Sequence, residues 1–326
     1  FCAQPDRYEE FLKTHSSHVI AIFSDEQQLK SCLEIELNKF SSRATTMNFF
    51  AQRQNNTRDL TYGAASFLWF QMIERVLRET KYGEKQKEQM LAYCREQYAR
   101  HARRGKVLAE IDEFQLKYRP SLAVRWYTRQ SFVYRLINSA LRTEDIDALY
   151  MFRFYIADLC RQLAEESKTY RRQLIGNGTD HLIVYRGCRM SKEELRKLEE
   201  IAGRDGARTS MNGFVSTSLD LDIANQFKEP HSHNRSNVEQ VVWTIDVDTH
   251  LEAIIFADVS EHSDHPGERE VLFNIGTTFA IDQVALDETS GVWRVKAHVS
   301  NDGNRAVTQY VDLVRRELEE TNISII

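Results

Sequence analysis

Apolar positions fall into two textures along the chain. Up to about residue 175 they recur mostly at steps of three and four. From Ala64 to about Thr80, Phe67, Leu68, Phe70, Met72, Ile73, Val76 and Leu77 make a thick stripe at helical spacing. A second helix is expected from Lys85 to Arg103. Two more are expected between Trp126 and Lys168, the later one carrying Leu149, Phe152, Ile156, Leu159 and Leu163. Val19–Phe23 reads as one short strand. Ser24, with Gln27 three residues on, opens a helix bearing Leu29, Cys32 and Leu33. Arg171, Arg172 and the Gly176–Gly178 stretch read as a loop.

At His181 the period changes to two. Short β-rich runs appear at Leu182–Arg186, Phe214–Thr217, Gln240–Val247, Val271–Asn274, Phe279–Leu286 and Val292–Val299. Two short helices interrupt them. One starts at Ser191, boxed by Glu194, and ends before Gly203; the other spans about Leu221 to Phe227. Thr308 to Glu320 is an amphipathic helix with Val311, Val314 and Leu318 on one side. Strands follow helices rather than alternating with them, so the fold class is α+β and not βαβ.

Composition narrows the partners. At 42% hydrophobic and 28% charged, the 326 residues are ordinary globular material, long enough for two domains. A net charge of −5 gives no global attraction to nucleic acid or to an anionic membrane, and no apolar run reaches the length of a membrane span. Arg95, Arg100, Arg103, Arg104 and Lys106 could form an anion site. Without interleaved aromatics they read better as a solvated helix end. Cys2, Cys32, Cys94, Cys160 and Cys188 are odd in number and scattered, which indicates neither a disulfide framework nor a zinc site. They favour a reducing, cytoplasmic setting. N-x-S/T triplets at Asn55, Asn177, Asn234 and Asn322 are the argument for secretion.

Three short segments of the β-rich half can carry chemistry. Val184-Tyr-Arg-Gly187 places a cation near a strand end, where a glycine lets a backbone approach a ligand. Alone it could be a surface ion pair. Gly213-Phe-Val-Ser-Thr-Ser218 ends a strand with small hydrogen-bonding groups, suited either to orienting a carboxylate or ribose or to capping the next helix through Ser218 or Asp220. Glu268-Arg269-Glu270 runs into an apolar strand. Read as i and i+2 on that strand, its carboxylates point to one face, and like charges so close raise each other's cost of ionisation. A solvent-facing pair on an edge strand is the bland alternative.

Arginine on a strand, S-T-S at a strand end and E-x-E entering an apolar strand, in that order, resemble the R-S-E class of mono-ADP-ribosyltransferases, which includes arginine-specific bacterial toxins and animal enzymes. Further segments resemble that family: Ala224 and Phe227 after S-T-S, Glu270 to Phe279, Leu122 to Thr128, Leu136 to Asn138 and Ala140 to Arg142. The resemblance runs from about Leu116 to about Val299. It implies an ADP-ribosyltransferase-like split β-sandwich with two small facing sheets, preceded by a mostly helical region. The division it suggests is a helical accessory domain over 1–115, a catalytic domain over 116–305 (helical opening 116–175, β-rich core 181–300) and a tail over 306–326.

The resemblance also implies roles. NAD is the substrate, and no metal is required. Arg186, Gly187, Ser216, Thr217, Ser218, Phe227 and Glu270 would bind NAD, with Arg186 on the phosphates and Phe227 stacked on the nicotinamide. Arg186, Ser216, Glu268 and Glu270 would form the catalytic set. Glu268 and His265 would face the acceptor, a target protein's arginine. His265 departs from the aromatic that many members carry there. The helical region could engage a regulatory partner. An NAD glycohydrolase using water and a catalytically silent NAD-binding module are the alternatives.

Overall fold

A computed structural model of the chain describes residues 47–51, 82–99, 104–143, 145–205, 207–226 and 238–301. The expected elements at Val19–Phe23, Ser24–Leu33, Ala64–Thr80 and Thr308–Glu320 lie outside the described residues, as do Phe227 and three of the four N-x-S/T triplets. The described residues belong to one compact unit, residues 44–326.

The described helices ahead of the β-rich half are α1 (Glu84–Gln97), α2 (Arg104–Lys117), a 3-10 turn (Pro120–Leu122), α3 (Ala123–Thr128), α4 (Phe132–Thr143) and α5 (Ile146–Gly176). The single helix expected over Lys85–Arg103 ends at Gln97, and a second begins at Arg104. Arg95 of the basic cluster reaches across that junction to Asp112 at 2.8 Å and Gln115 at 2.7 Å. It ties α1 to α2 and is not a free anion site.

α5 is longer than its pattern suggested. Asp145 caps it, its carboxylate accepting the Ala148 N–H at 2.9 Å. Leu149, Phe152, Ile156, Leu159 and Leu163 are all buried, each worth about 1.5–3 kcal/mol out of water. The helix then continues through Arg171 and Arg172, where a loop was expected, because Arg171 has a buried tertiary role. Its guanidinium donates to the carbonyls of Thr249 and Ile254 and lies 5.0 Å from the Phe256 ring. Residues of α1 and α2 (Met90, Cys94, Ile111, Phe114) share one core with Trp126, Phe132 and Phe152. Residues 84–117 thus pack together with the helices that follow them.

The β-rich half comprises β2 (His181–Ser191), α6 (Lys192–Ile201), β3 (Ala207–Met211), β4 (Val215–Ser218), α7 (Leu221–Gln226), β5 (Val238–Asp248), β6 (Phe256–Asp258), β7 (Glu270–Phe273), β8 (Thr278–Asp287) and β9 (Val292–Ser300); β1 (Met47–Ala51) precedes the helices. The capping box is as read. The Ser191 hydroxyl accepts from Glu194 N at 3.2 Å, and the Glu194 carboxylate accepts from Ser191 N at 3.0 Å. β1, β3 and β6 were not foreseen. β3 (ARTSM) carries a buried Thr209 and Ser210 and pairs with β1 on one side and β8 on the other.

Among the described residues the strands run in the order β1-β3-β8-β9-β5-β2-β4-β7-β6, antiparallel except where β5 meets β9. The two sheets expected to face each other are therefore joined at an edge. The join between β2 and β4 is a single residue pair, Tyr185 with Ser218. On either side of it the strands turn apolar side chains into a common core. Val184, Trp243, Ile245 and Phe279 come from the larger part, and Val215, Val271, Phe273 and Phe256 from the smaller. Phe214 and Leu272, on the other face of the smaller part, pack into the helical core. The β4–β7–β6 part is thereby enclosed between the helices and the larger part.

Candidate active site

The seam between β2 and β4 is where the expected residues meet. Arg186 stands on β2 opposite Trp243, and its Nη1 donates to the Ser216 carbonyl at 2.7 Å. Ser216 stands on β4 opposite Leu272, which places it on the face turned toward the helices. Glu270, two residues before Leu272, shares that face. Its carboxylate takes a hydrogen bond from the Ser216 side chain. Arg186, Ser216 and Glu270, far apart in sequence, thus converge.

Glu270 opens a strand whose four residues are all buried, and it is itself only 8% exposed. Burial pushes its carboxyl up to about 7; the Ser216 hydrogen bond and the Arg186 charge oppose this, and the charges of Glu268 and Asp258 add to it. A carboxylate so placed is poised to gain from a cation brought beside it.

Glu268 does not lie on the strand. It ends a 3-10 turn, Pro266–Glu268, and Arg269 follows in the left-handed region at φ 46°, ψ 51°. The i and i+2 geometry of a strand is therefore wrong for this pair. A kink takes its place, since β7 begins only at Glu270. The kink is secured from β4: Ser218 Oγ donates to the Glu268 carbonyl at 2.7 Å, and Leu219 N donates to the Arg269 carbonyl at 3.1 Å. Glu268 remains near enough for its charge to act on Glu270. His265 is exposed at the start of the turn, its N–H donating to Ser263 Oγ at 3.0 Å.

The rest of S-T-S holds backbone in place. Thr217 is buried and donates to the Val271 carbonyl at 2.7 Å, so it fixes β4 against β7. Ser218 also accepts from Asp220 N at 2.9 Å. Asp220 in turn caps α7, accepting from Asp222 N at 2.8 Å. Gly187 pairs with Val242 on the face where Ala224 of α7 packs against Val242 and Tyr185. Phe227, one residue beyond α7, lies outside the described residues.

Two residues without an expected role belong to the same site. Tyr127 of α3 is buried, and burial pushes its hydroxyl far above the ordinary range, with smaller effects from the nearby Glu270 and Arg186 charges. It donates to Asn138 Oδ1 at 3.0 Å, and its ring lies 5.2 Å from that of Phe214. Gly213, beside this pair, takes φ 149°, a backbone conformation that a side chain rarely allows. No local spacing marks Tyr127 or Asn138, because the fold alone brings α3 and α4 to the seam. Among the described residues no group of His, Cys, Asp or Glu could hold a metal ion, and no helix is long and apolar enough to cross a membrane.

Comparison with known proteins bears on the same region. The family description "ADP-ribosyltransferase exoenzyme" matches residues 121–302, more than half of the chain. Among solved structures, the ADP-ribosyltransferase HopU1 of Pseudomonas syringae pv. Tomato DC3000 is 18% identical, over 68% of this chain and 100% of that one, at a TM-score of 0.43. The Vis toxin of Vibrio splendidus is 17% identical, over 69% and 90%, at 0.38. An ADP-ribosyltransferase from Clostridium botulinum is 15% identical, over 59% and 90%, at 0.39. No protein of curated function matches the sequence. The matched span takes in the helices α3–α5, the seam and its converging residues, and the chain belongs to the ADP-ribosyltransferase exoenzyme family, whose members transfer ADP-ribose from NAD.

Proposed function

We propose that this enzyme modifies arginine side chains of a target protein, with Arg186, Ser216 and Glu270 serving NAD cleavage and Glu268 serving the acceptor. The observation that carries this reading is the pair of carboxylates at the seam. One, Glu270, is buried and held by Ser216; the other, Glu268, stands on an adjoining turn.

The bond to be broken joins a ribose carbon to a cationic ring nitrogen, and its loss leaves positive charge on the sugar. A fixed carboxylate facing that charge stabilises it more in the transition state than in the ground state. Glu270 fits, because its burial denies it water and so strengthens its field. Ser216 holds its rotamer. Arg186 offers a guanidinium fork to the phosphates of NAD, and Gly187 offers backbone without a side chain in the way. Phe227 supplies the aromatic face for the nicotinamide. Thr217 and Ser218 act by fixing the backbones of Val271 and Glu268.

A guanidinium becomes a nucleophile only when a carboxylate accepts its proton and orients it. In this reading Glu268 takes that task, with His265 beside the path of the target. The test is Glu268→Gln near neutral pH, with nicotinamide release and arginine labelling measured on the same samples. Arginine labelling should vanish while slow hydrolysis of NAD persists. Equal loss of both would assign Glu268 to NAD binding, and full retention of labelling would remove the arginine assignment.

A further inference from the structure

The segment between β6 and β7 carries both proposed acceptor residues, yet from 261 to 267 its backbone bonds are local: His262 N to Val259 O, Ser263 N to Ser260 O, and Glu268 N back to His265 O. Two single 3-10 turns, Ser260–His262 and Pro266–Glu268, cannot fix their own orientation. Side chains of the helical layer do so. His262 Nε2 lies 2.9 Å from Glu166 Oε1 of α5, and the ring nitrogen is the donor because a carboxylate can only accept. Thr128 Oγ1 of α3 shares its one proton between the Arg125 carbonyl at 3.3 Å and the His262 carbonyl at 3.4 Å.

Glu166 is itself held in place. Gln162 Nε2, one turn earlier, donates to the same Glu166 oxygen at 3.4 Å, and Gln162 Oε1 accepts the Val124 N–H at 2.9 Å. That N–H sits in the first turn of α3, where helix donors have no partner of their own. A continuous chain of bonds therefore runs from the start of α3 through Gln162 and Glu166 to His262. The Arg125–Asp264 contact beside it, at 3.8 Å between half-exposed groups, adds little. At its far end the loop is pinned by Ser218 to the Glu268 carbonyl.

We infer that His262, clasped by Glu166, is a positioning residue that sets the turn bearing Glu268 for the acceptor, so that α3 and α5 govern transfer separately from NAD cleavage. This rests on the reading of Glu268 as the acceptor's carboxylate. The described hydrogen bonds of His262 run to Glu166, Thr128 and Val259. Its loss should therefore loosen the acceptor side alone.

The experiment uses the full chain with His262→Ala, His262→Gln, Glu166→Gln and the His262→Ala/Glu166→Gln double variant, NAD, and agmatine as a small guanidine acceptor. In His262→Ala the KM for agmatine should rise about tenfold, the scale set by small misplacements of a catalytic group. NAD hydrolysis without acceptor should stay within about twofold, as for a change remote from the chemistry. His262→Gln, whose amide can still donate to Glu166, should recover most of the loss. The double variant should be no worse than His262→Ala, because the two groups act as one unit. A parallel fall in hydrolysis, or an unchanged KM for agmatine, overturns the inference. If the unaltered enzyme releases nicotinamide but labels no guanidine, the arginine reading fails, and amide exchange of residues 263–268 decides the latch instead. Faster exchange in His262→Ala supports it; unchanged exchange overturns it.

Discussion

The two parts of the sheet are built by different means. β2 and β5 pair over their whole length of eleven residues each, and β8 and β9 run for ten and nine. Strands of that length set their own register, because a slip of one residue would turn every apolar side chain outward. β4, β6 and β7 have four, three and four residues. Their placement depends on bonds from elsewhere: Thr217 to the Val271 carbonyl, Ser218 to the Glu268 carbonyl, Ser167 Oγ of α5 accepting the Phe256 N–H at 3.2 Å, and Arg171 of α5 on the carbonyls of Thr249 and Ile254. Arg186 belongs to the self-sufficient part, while Ser216 and Glu270 belong to the dependent one. The site at the seam is thus only as well ordered as the helices that support its short strands.

The largest expected effect separates charge from architecture. Glu270→Gln keeps size and burial but removes the charge, so transfer and NAD hydrolysis should both fall about a hundredfold or more. The fold should not suffer. Glu270 titrates near 7 when folded, above the ordinary carboxylate range, so the folded state holds a proton that the unfolded chain has released. Its contribution to stability is therefore lost as pH rises from the ordinary range through about 7. The substituted amide cannot ionise, and thermal melts at pH 8 should show the variant at least as stable as the parent. By the same titration, kcat/KM for NAD should climb through pH 7 in the parent, and a flat profile from pH 6 to 8 would deny the carboxylate its role.

Next comes the support itself. Arg171→Met leaves two buried carbonyls without donors, which should cost about 3 kcal/mol. That lowers Tm by roughly 6–12 °C in a domain of this size. Amide exchange should accelerate in β6 and β7 and stay slow in β2 and β5. Uniform acceleration would mean that the two parts unfold as one and would erase the contrast.

The smallest effect is at the seam's edge. Ser218→Ala removes the bond to the Glu268 carbonyl and should cost about 1 kcal/mol. Guanidinium denaturation, with transfer and hydrolysis followed in parallel, should show hydrolysis nearly unchanged and transfer reduced.

Much of this architecture is written locally. The capping box at Ser191 and Glu194, the end of α6 before Gly203 at φ 67°, the apolar ladder of α5 and the alternation of β5, β8 and β9 are all contained in adjacent residues. The order of Arg186, Ser216 and Glu270 along the chain marked the candidate site, although the three lie far apart. β3 escaped because its alternation is polar. Thr209 and Ser210 are buried although neither is hydrophobic. The extension of α5 escaped because Arg171 has no apolar partner in sequence, only carbonyls 78 and 83 residues away.

The sequence by itself determined the helices over residues 84–176 and the β-rich half, most described element boundaries within a few residues and the identity of the residues that meet. It could do so because period, caps and turn residues act over a few positions. Tertiary structure alone decided that Glu268 stands on a turn instead of the strand, with Arg269 left-handed and Ser218 holding the kink. It also decided that Tyr127 and Asn138 close the site, that the sheet divides at one residue pair, and that His262 is clasped by Glu166. Each of these is a contact between groups distant in the chain. Such contacts depend on how whole elements pack, and packing leaves no trace in local spacing.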